Sequence, residues 1–271
     1  MVDYRVGVDI GGTFTDVVFL SSGGHVLARK VASTPDDYSQ AVLEAINNGV
    51  KELGIGPDSV SEVSHGFTVA TNAIIENKGA KTALITTEGF RDVLELRRNR
   101  VPRLYDLYYE KPSALVKRQL RMEVRERLNF QGEVLRPLDN ADVDKAVDRI
   151  LEEEVEAVAV CLLHSYANPD HEQQIGQVIR QRAPDVILTL SSDLLPEMKE
   201  YERTSTTVIN CFVRPVVKRY LGRLIEGLQR MGISVPLGLM QSNGGVATSS
   251  TAMVKPVYCS GPGPAPGVGG A

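Results

Sequence analysis

The chain has 271 residues, 42% of them hydrophobic, with 30 basic side chains against 34 acidic ones and a net charge of −4. That length is one large domain or two small ones at roughly 150 residues each, with ample apolar content for a core. No basic tract points to nucleic acid, and no run of about 18 apolar residues points to a membrane helix.

The N-terminus enters a strand directly, Tyr4 to Val8, which argues against a signal peptide. The run Asp9-Ile10-Gly11-Gly12-Thr13-Phe14-Thr15-Asp16 follows and leads into a second strand, Val17 to Leu20. His25 to Ser33 reads as a third strand. Pro35 and Gly54 frame a helix over Tyr38 to Leu53, with Ala41, Leu43, Ala45, Ile46 and Val50 on or near one side. Val60 to Ser64 is a short strand, Thr68 to Asn77 a helix closed by Gly79, and Lys81 to Thr87 a strand. Phe90 to Arg97 starts another helix.

Residues 97–137 are rich in Arg, Tyr, Glu and Pro and read as an excursion with a β-hairpin around Gln131-Gly132. A second strand–helix series follows. It has a helix over Asn140 to Glu153, a buried strand over Ala157 to Leu163, a helix over Pro169 to Arg182 and a strand over Asp185 to Ser191. Glu200 to Met231 is a long helix that Pro215 should kink, because proline removes a backbone donor and crowds the preceding turn. Pro236 to Met240 is a strand ending in Gln241-Ser242-Asn243-Gly244-Gly245. Val257-Tyr258-Cys259 then leads to Ser260-Gly261-Pro262.

Alternating strands and helices predict an α/β fold. Three strands before the first helix exclude the usual Rossmann start. They fit the ribonuclease-H-like fold used by actin, sugar kinases and Hsp70-type ATPases. We divide the chain into 1–137, a ribonuclease-H-like subdomain carrying the insertion at about 97–137, and 138–271, a second α/β portion. Cys161, Cys211 and Cys259 are far apart and offer no C-x-x-C zinc pair, so a reducing cytoplasm is the simplest compartment.

The Asp9–Asp16 run carries the chemistry. Two glycines at a strand–turn–strand junction let backbone approach a ligand closely, and free N–H groups of Gly11 to Asp16, with the Thr13 and Thr15 hydroxyls, suit phosphate oxygens. Asp9 at the strand end suits hydrated Mg²⁺, which keeps most of its waters. The bland alternative is a Gly-Gly hairpin turn without a ligand. Thr13 stands where a P-loop has lysine, and no G-x-G-x-x-G follows the first strand. His65 either polarises a substrate carbonyl or is a strand-end histidine bonded to backbone. Thr68, Thr71 and Asn72 either contact substrate or phosphate or cap their helix. Arg97, Arg98, Arg100 and Arg103 suit a carboxylate or phosphate, or simply a helix C-terminus. Glu202 and Arg203 read as a local ion pair. His164 and His171 have no third ligand to make a metal site.

Several segments together resemble the hydantoinase A/oxoprolinase family. They are Asp9 to Asp16, His65-Gly66-Phe67-Thr68 through Glu76 and on to Thr82, Thr86 to Arg97, Leu104 to Leu107, Glu200 to Thr207, and Gln241 to Gly245. The resemblance spans essentially the whole chain. It implies ATP and Mg²⁺, with ATP phosphorylating a carbonyl-type oxygen of a hydantoin, 5-oxoproline or lactam, or an enolate in the ketone carboxylases. With that resemblance beside the reading of the residues, Asp9 and His65 are the catalytic candidates, and Thr68, Thr71, Asn72, Arg97 and Arg100 the candidates for substrate contact. It also implies a hydantoinase-B-like partner subunit in a hetero-oligomer. In the family, Ser-Gly-Pro precedes a second phosphate loop, and here the chain reaches Ser260-Gly261-Pro262 and ends at Ala271. The resemblance therefore matches the N-terminal half of such proteins, and the half alone is expected to hydrolyse ATP poorly or to serve as an interaction module.

Overall fold

A computed structural model describes residues 2–98, 105–106, 108–110 and 112–259. The chain begins with β1 (Tyr4–Ile10), β2 (Phe14–Ser21) and β3 (Val26–Ala32), paired antiparallel in sequence. In β1, Tyr4, Val6, Val8 and Ile10 are buried while Arg5 and Asp9 are exposed, the period-two pattern of a strand with one face on the core. Helix α1 (Tyr38–Leu53) starts at Asp37, whose carboxylate accepts from the Ser39 N–H at 3.2 Å. It stops at Gly54, left-handed at φ 63°. Its Ala41, Val42, Ala45, Ile46 and Gly49 are buried, and the helix packs on β2 and β3.

Next come β4 (Val60–Phe67), parallel to β1, and α2 (Val69–Ile75). The fifth strand of this sheet, β11, arrives only after residues 79–212 have built a unit of their own. That inserted unit holds β5 (Thr82–Thr87), the single turn α3 (Val93–Leu96), β6 (Arg121–Val124), the hairpin β7 (Arg127–Leu128) and β8 (Val134–Arg136), and α4 (Asn140–Glu152). It continues with β9 (Ala157–Cys161), α5 (Asp170–Arg182), β10 (Ile187–Leu190) and α6 (Ser191–Leu194). Its sheet runs β10-β9-β5-β6, all parallel. Every residue of β5 and β9 is buried, as expected for parallel strands covered on both faces.

Helix α7 (Glu200–Arg230) continues through Pro215, and the division between the two units falls inside it, at Phe212/Val213. The chain then completes the first sheet with β11 (Leu237–Met240), parallel to β4, and β12 (Val246–Thr248), followed by α8 (Ser249–Val254). The strand order is β12-β11-β4-β1-β2-β3. Three antiparallel strands continuing into parallel β4 and β11 are the ribonuclease-H-like arrangement.

Two expectations need correction. The compact units are 1–78 with 213–271, and 79–212, rather than 1–137 and 138–271. The reason is sheet pairing: β9, from beyond residue 138, lies directly beside β5 and shares its core with Ala83, Leu84 and Ile85. The 97–137 excursion does contain the hairpin, with Gly132 at φ 84° in its turn, but also β6, an edge strand of the second sheet that pairs with β5.

Gly49 in α1 faces the ring of Phe19, which is fully buried in β2, and an added Cβ would overlap that ring. Alanine gains about 1 kcal/mol of helix propensity over glycine, whereas overpacking against an immobile ring costs about 1–3 kcal/mol. Overpacking should win. Gly49→Ala is expected to lower the unfolding free energy by about 1–2 kcal/mol in urea titration, and a stabilised variant would show that the ring is free to yield.

Candidate functional site

The β1–β2 register pairs Ile10 with Thr15 and Asp9 with Asp16, leaving Gly11 to Phe14 as the connecting turn. The Gly11 N–H donates to the Phe14 carbonyl at 2.9 Å. Ser33, just past β3, buttresses the turn twice: its N–H donates to the Thr13 carbonyl and its hydroxyl to the Gly11 carbonyl, both at 2.9 Å. The N–H groups of Gly12 and Thr13 take no partner among the described residues. The turn is thus held through its carbonyls and leaves two donors unpaired on exposed residues, the polarity an anion needs.

The two threonines divide. Thr13 is exposed, but Thr15 is fully buried and its hydroxyl is 2.9 Å from that of Ser33. Thr15 locks the turn rather than presenting its hydroxyl to a ligand. Phe14 is half exposed, with the Lys30 ammonium 5.3 Å from its ring centre. Lys30 and Ser33 were not among the sequence candidates. The signal was available, since a β2–β3 hairpin places Lys30 directly opposite Asp16.

Asp9 keeps an exposed carboxyl, and across the strand pair Asp16 accepts from Lys30 Nζ at 2.7 Å. Partial enclosure, then the Asp16 charge, raise the Asp9 pKa, while Lys30 opposes them. Two carboxylates facing one another across a ladder repel, and a divalent cation would relieve that repulsion.

His65 does not face a cleft. It is fully buried in β4, one register step from the Asp9 row. Val8's carbonyl can only accept, so His65 Nδ1 donates to it at 3.2 Å, and Nε2 accepts the hydroxyl of Tyr220 on α7. His65, Phe67 and Tyr220 pack with ring centres 5.6–5.9 Å apart. Desolvation lowers the His65 pKa to about 4, so the ring is neutral.

Thr68 sits at the N-cap of α2 but does not cap it with its side chain; its hydroxyl donates to the Ile10 carbonyl at 3.0 Å. One turn on, the Asn72 Nδ2 lies 3.9 Å from where a Cβ on Gly12 would stand. Asn72 therefore joins the glycine turn, with half-buried Thr71 beside it in sequence.

The arginines belong to the inserted unit. Arg97, at φ 55° after α3, donates to the Pro112 carbonyl, and Arg98 pairs with Glu202. Arg100 and Arg103 lie outside the described residues. The expected Glu202–Arg203 pair is absent. Arg203 is buried, donating to the carbonyls of Leu162 at 2.6 Å and Glu197 at 3.1 Å, over the Tyr166 ring. His171 pairs with buried Glu126 at 2.8 Å, and no cluster of three or more His, Cys, Asp or Glu placed to hold a metal occurs among the described residues.

Residues 5–183 match the hydantoinase/oxoprolinase N-terminal region family, and residues 203–271 the hydantoinase/oxoprolinase family. An uncharacterized protein of Methanocaldococcus jannaschii is 39% identical over 98% of this chain. Caprolactamase subunit alpha of Pseudomonas jessenii is 36% identical over 98% of the chain, and the crystal structure of that ATP-dependent caprolactamase superposes with a TM-score of 0.90 over 97% of it. Acetophenone carboxylase gamma subunit of Aromatoleum aromaticum is 29% identical over 89%. The chain spans 39%, 39% and 35% of the length of these three proteins.

The buried histidine gives a pH signature. Its pKa falls from 6.5 unfolded to about 4 folded. The folded chain holds fewer protons in that window, so this contribution is full above pH 6.5 and drains away as pH falls toward 4. Unfolding titrations near pH 7 and near pH 4 should show wild type losing on the order of 3 kcal/mol more than His65→Gln. Equal losses would mean the ring is charged in the fold.

Proposed function

Because this chain belongs to the hydantoinase/oxoprolinase family, we propose that it is the phosphate-gripping part of an ATP-dependent cyclic amide hydrolase component. The observation that carries this reading is the β1–β2 turn, with its glycines, unpaired N–H groups and strand-end aspartate. The caprolactamase resemblance favours an amide over a ketone, since that relative is closer in sequence than the ketone carboxylase subunit. A ketone carboxylase subunit, phosphorylating an enolate instead, is the second reading, supported by the acetophenone carboxylase likeness.

The chemistry asks little covalent work of the protein. An amide carbon is a poor electrophile, and transferring the γ-phosphoryl group of ATP to its oxygen makes that oxygen a leaving group while ADP departs. Two waters then complete the reaction, giving the ring-opened amino acid, ADP and inorganic phosphate. Phosphoryl transfer needs positioning and charge stabilisation. Gly12 and Thr13 supply N–H donors, and Asp9 would hold the hydrated Mg²⁺ that neutralises phosphate charge. Asn72 orients the group lying over Gly12. Thr68 and Ser33 hold the backbone from behind, and His65 supports β1 from inside the sheet. Hydrolysis of the activated intermediate is assigned to a hydantoinase-B-like partner in a hetero-oligomer. The three free, buried cysteines suit a reducing compartment.

Two variants of the full-length protein with its partner test this. Gly12→Ala places a Cβ in ordinary contact with Asn72 and strains nothing, because Gly12 does not have positive φ. It should leave the melting temperature unchanged but block phosphate approach, cutting Mg-ATP affinity at least about tenfold, or about 1.4 kcal/mol. Asp9→Asn should lose Mg²⁺-dependent nucleotide binding and turnover. Normal ATP turnover by both variants would remove the turn from the site.

A further inference from the structure

The glycine turn at the end of β1 is one of three chain segments that leave the same edge of this sheet. Strands β1, β4 and β11 are parallel, so their carboxyl ends lie together. In α/β sheets that edge is where ligands bind. Val8 and Leu239 both stand opposite His65, and Asp9 stands opposite Gly66, which puts Met240 level with Asp9 and Gln241 one step beyond. Only β4 intervenes, so the Gln241–Gly245 turn lies about 10 Å from the glycine turn, two strand spacings.

The two turns have opposite chemistry. In the second, four of the five backbone donors are already used, all but the Asn243 N–H. Gln241 N–H goes to the Gly245 carbonyl at 2.7 Å, Ser242 N–H to Tyr258 at 3.0 Å, Gly244 N–H to Gln241 at 3.0 Å, and Gly245 N–H to Asn243 Oδ1 at 2.9 Å. No cationic side chain lies in the turn. A phosphate would find little to bind there. What the turn offers is carboxamide: the half-buried Gln241 side chain has no hydrogen-bond partner among the described residues, and Asn243 has spent only its oxygen. Both converge over Gly245, where an added Cβ would stand 2.9 Å from Gln241 Oε1 and 3.1 Å from Asn243 Oδ1. Ser242 fixes the turn to the Pro256–Cys259 segment, against which α2, the helix of Asn72, also packs.

We propose that Gln241 is a substrate-recognition residue whose carboxamide pairs with the ring amide of a cyclic-amide substrate. A ring holds its amide N–H and C=O on one side. A primary carboxamide has an acceptor and a donor side by side, so the two groups form a pair of antiparallel hydrogen bonds. The phosphoryl donor then lies at the glycine turn and its acceptor ring at the carboxamide turn, with β4 between. Gln241 holds the ring; it takes no part in bond making. This inference rests on the cyclic-amide reading of the site.

The test is steady-state kinetics of the full-length protein with its partner, using caprolactam, 5-oxoproline and hydantoin, each with an N-methylated counterpart. The substrate with the highest turnover is taken forward. Gln241→Leu should raise its KM about 10- to 100-fold, the loss of two hydrogen bonds, and leave the KM for ATP within twofold. The N-methylated ring, which lacks the donor, should lose less than the parent between wild type and Gln241→Leu. Gly245→Ala, which pushes the Gln241 carboxamide aside and crowds Asn243 Oδ1 by less, should reproduce the KM rise with an unchanged melting temperature. An unchanged KM for the ring in both variants, or an equal rise in the KM for ATP, overturns the assignment while leaving the cyclic-amide reading intact. If wild type releases ADP with none of these rings, that reading fails and the assignment falls with it.

Discussion

Strand β4 must pair in parallel with β1 on one side and β11 on the other, and the first unit depends on that constraint. Parallel partners cannot be joined by a tight turn, so the chain leaves the sheet after β4 and returns for β11. The reward is positional. Three segments that are distant in sequence reach one edge: a glycine turn with open donors, a helix start bearing Asn72, and a turn bearing carboxamides. His65 sits in the middle strand and ties the neighbouring strand β1 and helix α7 to it, through the Val8 carbonyl and the Tyr220 hydroxyl. A charged imidazole would break that arrangement, which is why burial rather than catalysis sets its protonation.

The inserted unit solves a different problem. Its sheet is covered on both faces, so polar groups at the strand ends are buried and must be paired. Glu172, with no exposure, accepts from the Leu162 and Ser192 N–H groups at 2.9 Å each and from the Ser191 hydroxyl at 2.6 Å, closing the ends of β9 and β10. Arg203 and the Glu126–His171 pair act similarly. These buried polar groups are spent on internal partners, whereas the glycine turn of the first unit withholds two donors. That contrast separates structural polarity from polarity available to a ligand.

Much of the fold was legible because hydrophobic period and punctuation agree. Alternation gives β1, and Gly54 ends α1 where a left-handed residue is needed. Strand β6 was not legible: Arg121-Met122-Glu123-Val124 is too short and too polar for its burial to be read from pattern. The unit boundary followed from a pairing, β5 with β9, that no local signal encodes. At the site, the glycine turn and Asp9 were readable from residue type. The inward hydroxyl of Thr15 and the interior place of His65 were not, since the same residues serve equally as ligand contacts or as struts. The expected Glu202–Arg203 pair had a geometric flaw: adjacent residues on a helix do not face each other. Glu202 instead pairs with Arg98, and Arg203 turns into the core.

The split of the first sheet around an uninterrupted inserted unit also sets an order of assembly. Residues 79–212 hold all their own strands, so they can finish folding as soon as they leave the ribosome. Strands β1 to β4 cannot, because β4 keeps one edge unpaired until β11 is made. At about 5–20 residues per second, synthesis of the intervening stretch leaves that edge open for roughly ten to thirty seconds. An open strand edge is a template for wrong pairing, so the first-made segment of this chain is the last to be secured.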